Sequence, residues 1–253
     1  LAANDAPSLS YSQSWNYKLY EEGYLWNFND LISKYGEASG VTADDWIDTV
    51  WYNYSPTEVL GPVFASVTNC LMYNTELFED AGIDLPPTTV DEAWTWDEFV
   101  EVAQKLTLDV NGNNALSPNF DPTNIKQFGI GTDLNMDIMF QFIYGNGGNI
   151  LSEDGKSTDL INEKGYSVIQ NFADLVNKYH VHPTKTQSSG FESVASAMKS
   201  KQLAMFMGGS WRQLDIVAAD FDWGVGVMPM GDIDYVASFV GSTLLAYKAE
   251  EDS

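Results

Sequence analysis

The chain has one cysteine, Cys70, and one arginine, Arg212, in 253 residues. A single cysteine excludes an intrachain disulfide and any cysteine metal cluster. Inside the apolar run Cys70-Leu71-Met72-Tyr73 it reads as an inert buried residue. Val67-Thr68-Asn69 before it lacks the small, apolar pattern of a lipid-acylated cysteine. Basic residues number 12 against 36 acidic ones, a net charge of −24. Such a surface repels nucleic-acid phosphates and anionic membranes, so neither is expected as a partner. Sites for phosphate, sulfate or carboxylate lean on arginine's planar fork of donors, so its scarcity favours a neutral or cationic ligand. No run reaches the roughly 18 apolar residues of a membrane span, so direct membrane insertion is not expected of this segment. Leu1-Ala2-Ala3-Asn4 carries neither an initiator Met nor an export signal, and the chain is expected to be cut from something longer.

What is present is an alternation of strand and helix signals. Cys70–Tyr73 suits a strand buried on both faces. Asn74 and Thr75 are natural N-caps, Leu77, Phe78 and Ala81 share a face, Gly82 sits where a left-handed C-terminal residue is wanted, and Pro86-Pro87 forbids continuation. Thr95 and Glu98 form a capping box ahead of Phe99, Val100, Ala103 and Leu106 at helical spacing.

Earlier, Tyr11 to Tyr54 reads as helical and aromatic-rich, with Leu25, Phe28, Leu31, Ile32 and Tyr35 on one face. Thr42 with Asp45 caps a second expected helix carrying Trp46 and Val50. Leu60-Gly61-Pro62 breaks the pattern, and Val63 to Tyr73 is extended. Later, Gln127–Thr132 is a short strand, Asp137–Tyr144 a helix, and about Asn162 to Tyr179 a strong helix. The inner face of that helix is expected to be Val168, Ile169, Phe172, Leu175, Val176 and Tyr179. A shorter helix carries Phe191, Val194 and Met198, and Leu203–Met207 is a buried strand. Gly208-Gly209-Ser210-Trp211 then turns into a helix with Leu214 and Val217 inward, and Gly224–Met228 and Phe239–Tyr247 are further strands. The alternation predicts an α/β sheet with helices on both faces.

Seven pieces in register carry a family resemblance: SVTNCLMYNTELFEDAGI at 66–83, TWDEFVEVAQKLT at 95–107, FGIGTD at 128–133, GNGGNIL at 145–151, AMKSKQLAMFMGGSW at 197–211, WGVGVMPMG at 223–231 and FVGSTLLAYKAEED at 239–252. Together they resemble the maltose-binding-protein-like sugar receptors (family 1) among the extracellular solute-binding proteins of ABC transporters. The resemblance implies a periplasmic-binding-protein-like (type II) α/β fold of two lobes, with a ligand trapped in the cleft between them. It implies a fragment, with lobe one incomplete. On that pattern, residues 1–72 form a partial first lobe ending in a crossover near Ser66–Asn74, residues 73–238 the second lobe, and residues 239–253 a return crossover. Exposed apolar surface or partner contacts are expected over residues 1–65.

The resemblance also implies capture of a mono- or oligosaccharide and delivery to ABC permease membrane subunits, outside the cell, as a surface lipoprotein or periplasmic protein. No cofactor, metal or catalytic residue is expected. Trp211 is the foremost ligand-binding candidate, since a flat indole stacks on the C–H face of a sugar ring; packing in the core is its competing role. Arg212 either donates to a hydroxyl or neutralises nearby acids, the second being favoured. Asn135 and Asp137 fall where the family places polar groups toward the cleft, and planar amides and carboxylates suit paired hydroxyls; helix capping serves Asn135 equally well. Ser66 and Asn69 beside the first crossover, and Ser242 at the second, complete the set, with Trp46, Trp51 and Tyr52 held outside it.

Other motifs point to less. Asp109-Val110-Asn111-Gly112-Asn113 has oxygen side chains at alternate positions like a calcium loop, but Asn114 stands where glycine is expected and Phe120 where a bidentate Glu belongs, so a polar turn is favoured. His180 and His182, two apart with no nearby third ligand, are poorly spaced for zinc. Two alternatives stand beside sugar capture: the same fold holding a cation such as a polyamine, and a carbohydrate-active hydrolase, for which acidic residues abound without a defining pattern.

Overall fold

The computed structural model describes residues 7–12, 16–40, 42–45, 51–152, 154–158, 160 and 162–248, with the side chains at 43, 64–66, 239 and 240 outside the description. In chain order its elements are β1 (Leu9–Ser12), α1 (Tyr17–Glu21), α2 (Phe28–Ser39), β2 (Trp51–Ser55), β3 (Glu58–Asn74), α3 (Thr75–Ala81), α4 (Trp96–Leu106), β4 (Leu108–Asp109), β5 (Ile125–Thr132), α5 (Met136–Gly145), α6 (Glu163–Asn177), α7 (Lys185–Ser188), α8 (Val194–Lys199), β6 (Leu203–Gly209), α9 (Gln213–Ala218), β7 (Trp223–Gly226) and β8 (Phe239–Ala246). The chain divides into two compact units, Leu1–Val67 with Val240–Ser253, and Thr68–Phe239.

In the first unit, β1 pairs antiparallel with β8 and β2 pairs antiparallel with the start of β3. Its small core is Leu25, Leu60 and Leu245, ringed by tyrosines; Tyr17 stacks on Tyr52 at 5.6 Å and meets Tyr54 edge-on at 5.5 Å. The single helical reading of Tyr11–Tyr54 is corrected here. Tyr11 lies in β1 and Trp51–Tyr54 in β2, because alternate tyrosines pack on a sheet face better than along one helical stripe. Leu60-Gly61-Pro62 does not interrupt the chain but runs within β3, with Gly61 pressed against the backbone of Leu244. Thr42 and Asp45 do bond, at 2.6 and 3.0 Å, around a short 3₁₀ turn at Ala43–Asp45. Trp46 and Val50 lie outside the described residues. Leu9, Tyr11, Tyr24 and Tyr35 are exposed.

The second unit is a sheet of order β7-β3-β6-β5-β4, with β5 and β6 parallel and β3 antiparallel to β6 and β7. Pleating divides the central strand residue by residue. Leu71 and Tyr73 face α3, α4, α5 and α6, while Cys70 and Met72 face α8 and α9. The first layer holds fully buried Phe78 and Phe99, each worth about 1.5–3 kcal/mol of burial. It also holds an aromatic cluster in which Trp96 lies 5.1 to 5.3 Å from Phe99, Phe142 and Phe172.

The helix ends follow local chemistry. Asn74 Oδ1 accepts from Leu77 N–H at 3.2 Å, Gly82 closes α3 at φ 65°, and Thr95 with Glu98 completes its capping box. Two helical faces differ from expectation. Ile169 points outward, one step beyond the Val168–Phe172–Leu175 stripe. Leu214 and Val217 are 79% and 62% exposed while Ile216 is buried. The cause is the 3₁₀ turn Ser210–Arg212 ahead of α9, whose tighter three-residue winding rotates the helix phase. Phe191 lies before α8 rather than in it.

Candidate functional site at the carboxyl edge of the second sheet

Strand register assembles one edge. Thr132 at the end of β5 pairs with Met207 of β6, and Gly209 at the end of β6 pairs with Asn69, where β3 enters the unit. The carboxyl ends of two parallel strands therefore meet Thr68 and Asn69, and open α/β sheets bind ligands in just this position.

From β6 the chain turns through Ser210–Arg212, and the Trp211 ring lies directly over Gly209, so close that a Cβ there would run into it. Trp211 remains 39% exposed, an aromatic plate supported from below by backbone. Next to it Arg212 makes a two-pronged ion pair with Asp133, Nε to Oδ2 at 3.1 Å and Nη2 to Oδ1 at 2.8 Å. The Asp133 bonds raise the Arg212 pKa against the opposing effect of burial, with Asp215 adding a smaller contribution. Asp133 itself is fixed by its N–H to Met207 O, at 3.3 Å.

On the β3 side, Asn69 is 4% exposed and its Nδ2 donates to Ser238 Oγ at 2.6 Å, while Oδ1 receives no donor. A buried acceptor without a donor costs free energy. Thr68 Oγ1 donates to Ser238 O at 2.9 Å and holds that residue in place. On the β5 side, Leu134 adopts φ 35°, a strained value for a branched residue. Asn135 Oδ1 caps α5 by accepting from Ile138 N–H at 3.0 Å. The half-buried Asp137 in that first turn has no hydrogen bond or ion pair among the described residues.

His182 secures the end of β5. Its Nε2 accepts from Thr132 N–H at 3.1 Å and its Nδ1 lies 2.7 Å from Pro183 O. That pattern requires a neutral ring protonated at Nδ1. Burial lowers the His182 pKa, opposed by the Pro183 bond. With both nitrogens engaged, this histidine is an anchor and has no lone pair for a metal.

The edge thus brings together Trp211, Asn69 and the turn carrying Asn135 and Asp137. Ser242 lies in the other unit, buried in β8, and the Ser66 side chain lies outside the described residues. Trp51 and Tyr52 are β2 residues of the first unit. Sequence reasoning did not single out Asp133, Ser238, Gly209 as a ring support, or His182 as an anchor. The position of Asp133 just past FGIGT, facing the chain's lone arginine, was the available signal.

The Asp109 loop is a polar turn. Its carboxylate accepts N–H groups from Asn111 at 2.8 Å and Asn113 at 2.9 Å, from the Asn113 amide at 2.9 Å and from Asp121 at 3.1 Å. Burial pushes its pKa up, but the Asn113 side chain and these backbone donors outweigh it and hold the group at about 2. A carboxylate ringed by donors is the reverse of a cation site, and the described residues contain no group of three His, Cys, Asp or Glu side chains placed to hold a metal ion.

The sheet order and the likeness to solved structures show a periplasmic-binding-protein-like (type II) α/β fold. Residues 1–252 match the family model described as bacterial extracellular solute-binding protein, and the chain belongs to that family. Among solved structures it is similar to an ABC substrate-binding protein from Listeria monocytogenes in complex with cycloalternan (21% identity, TM-score 0.80, covering 99% of this chain and 59% of that one). The maltose/maltodextrin-binding domain MalE from Bdellovibrio bacteriovorus bound to maltotriose is also similar (18%, 0.72, 99% and 60%). So is UgpB from Mycobacterium tuberculosis in complex with glycerophosphocholine (18%, 0.73, 98% and 60%). The chain therefore spans about 60% of the length of these structures. No curated protein sequence matches it.

Proposed function

We propose that this chain belongs to the solute-capturing component of an ABC importer. It takes a neutral mono- or oligosaccharide at the carboxyl edge of the second sheet and passes it to the permease, outside the cell membrane and without catalysis. The observation that carries the reading is Trp211, half-exposed on a backbone support and flanked by fixed hydrogen-bonding groups. A sugar ring offers a C–H face for the indole and hydroxyls at its perimeter for Asp133 and the Asn135 amide, with Asn69 beside them where β3 enters the unit. Ser66 and Ser242 are proposed as further contacts from the sequence resemblance alone. Similar proteins crystallised with cycloalternan and maltotriose support the same ligand class. No described helix is long and apolar enough to cross a membrane; a lipid-anchored or periplasmic setting is the proposed location.

One observation favours a cationic ligand such as a polyamine: Asp137 is half-buried and unpaired among the described residues. Thermal unfolding in the presence of maltotriose, cellobiose, D-galactose and spermidine separates the two readings. A neutral sugar at about 100 times its Kd adds about 2.7 kcal/mol, a rise in Tm of roughly 5–10 °C for a chain of this size. A shift with spermidine and none with any sugar of a broad neutral panel overturns the saccharide reading.

A further inference from the structure

We propose that the Arg212–Asp133 ion pair is a charge filter that makes the carboxyl edge select uncharged polyhydroxyl ligands over anionic sugars, an inference that rests on the saccharide reading. Arg212 is the only arginine of the chain and stands beside the exposed Trp211 ring. A lone guanidinium there would bind carboxylate, phosphate or sulfate through its parallel donors, the strongest planar recognition available to a side chain. Here the side-on edge is already engaged and the charge matched, since Nε and Nη2 both donate to Asp133 at 3.1 and 2.8 Å. The two side chains keep 35% and 22% of their surface, so the pair is formed at the rim and not sealed in the core.

What remains is chemically specific. The Nη1 amino group and the second Nη2 hydrogen can donate to hydroxyl oxygens, and the outer lone pairs of Asp133 can accept from hydroxyl hydrogens. Both are charge-assisted bonds, yet the pair has no net charge to attract an anion. Asp215, close enough to act electrostatically on Arg212, tips the local balance further against anions. Asp133 and Arg212 thereby divide the labour: each strengthens hydrogen bonding to neutral hydroxyls, while Asp133 occupies the side-on edge of the guanidinium and its negative charge opposes an acid approaching the end-on edge.

The test is a calorimetric titration of the whole chain with trigalacturonate, alongside maltotriose and the neutral sugar that most raises Tm. The native protein is expected to bind the neutral sugar and to discriminate against trigalacturonate. Asp133→Asn keeps a hydrogen-bond acceptor for Arg212 but removes the opposing charge. It should bind trigalacturonate at least tenfold more tightly than the native protein, one decade in Kd. The gain should fall when NaCl is raised to about 0.5 M and vanish in the Asp133→Asn/Arg212→Gln double variant. Asp133→Ser serves as a second probe, with circular dichroism confirming the fold of each. Unchanged trigalacturonate affinity in folded Asp133→Asn or Asp133→Ser, while the native protein binds a neutral sugar, overturns the filter alone. A native protein that binds trigalacturonate as tightly as the neutral sugar overturns it too. Failure of every neutral sugar to bind the native protein is instead the failure of the saccharide reading.

Discussion

Gly209 has no room for a side chain, because the Trp211 ring occupies the space its Cβ would take. Its backbone, at φ −70° and ψ 145°, is open to any residue. Gly209→Ala should therefore fold normally but push the indole off its support, since a half-exposed ring can move where backbone cannot. Calorimetry should show saccharide affinity at least tenfold weaker, about 1.4 kcal/mol, with the Tm of the free protein little changed; native affinity in the variant would count against the ring's placement. At this scale the sequence was partly legible. Trp211 and Asn69 stand out as an aromatic after a glycine pair and a polar residue beside an apolar strand. Asp133 did not, because its role exists only through Arg212, a residue 79 positions away. Nothing local to FGIGTD records that pairing.

At the scale of elements, β5 is held at its carboxyl end by His182, which follows α6 and accepts the Thr132 N–H. The folded chain prefers this ring neutral, so its pKa lies below the ordinary 6.5. The corresponding stability is fully present above the unfolded value near 6.5 and is lost as pH falls through the lower folded value. NMR titration of the His182 ring should give a midpoint below 6.5, and Tm should decline on acidification below that pH. Replacement by Asn, which can still accept from Thr132, should flatten this part of the profile; a midpoint at or above 6.5 would rule out the anchoring role. Caps were the most legible elements. Asn74, Thr95 and Glu98 satisfy helix amides within three residues, so sequence alone contains both partners. Helix phase at α9 and the strands β1 and β2 were not legible. A 3₁₀ turn resets the phase of Leu214 and Val217, β1 takes its form from the sheet partners Leu245 and Ala246, distant in sequence, and β2 from Gly61 and Pro62, which look like a break until they pair.

For the whole molecule, a net charge of −24 sits on a chain whose proposed site is locally neutral where Arg212 meets Asp133. The exterior repels anions at long range, and the ion pair refuses them at contact, so the two scales act in the same direction. The alternation of strands and helices and the seven family-like pieces made the α/β class readable from about Ser66 onward, and the tyrosine-rich start was not. The division at Val67/Thr68 and Phe239/Val240 is a property of three-dimensional contacts. In the proposed function the carboxyl edge of the second sheet takes a neutral saccharide on the Trp211 ring. Its most direct test is calorimetry of the neutral sugar giving the largest thermal shift, titrated into the native chain and into Trp211→Ala. Binding should be at least about 30-fold weaker in the variant, about 2 kcal/mol, with the unliganded Tm preserved. Equal affinity in the two proteins would contradict it.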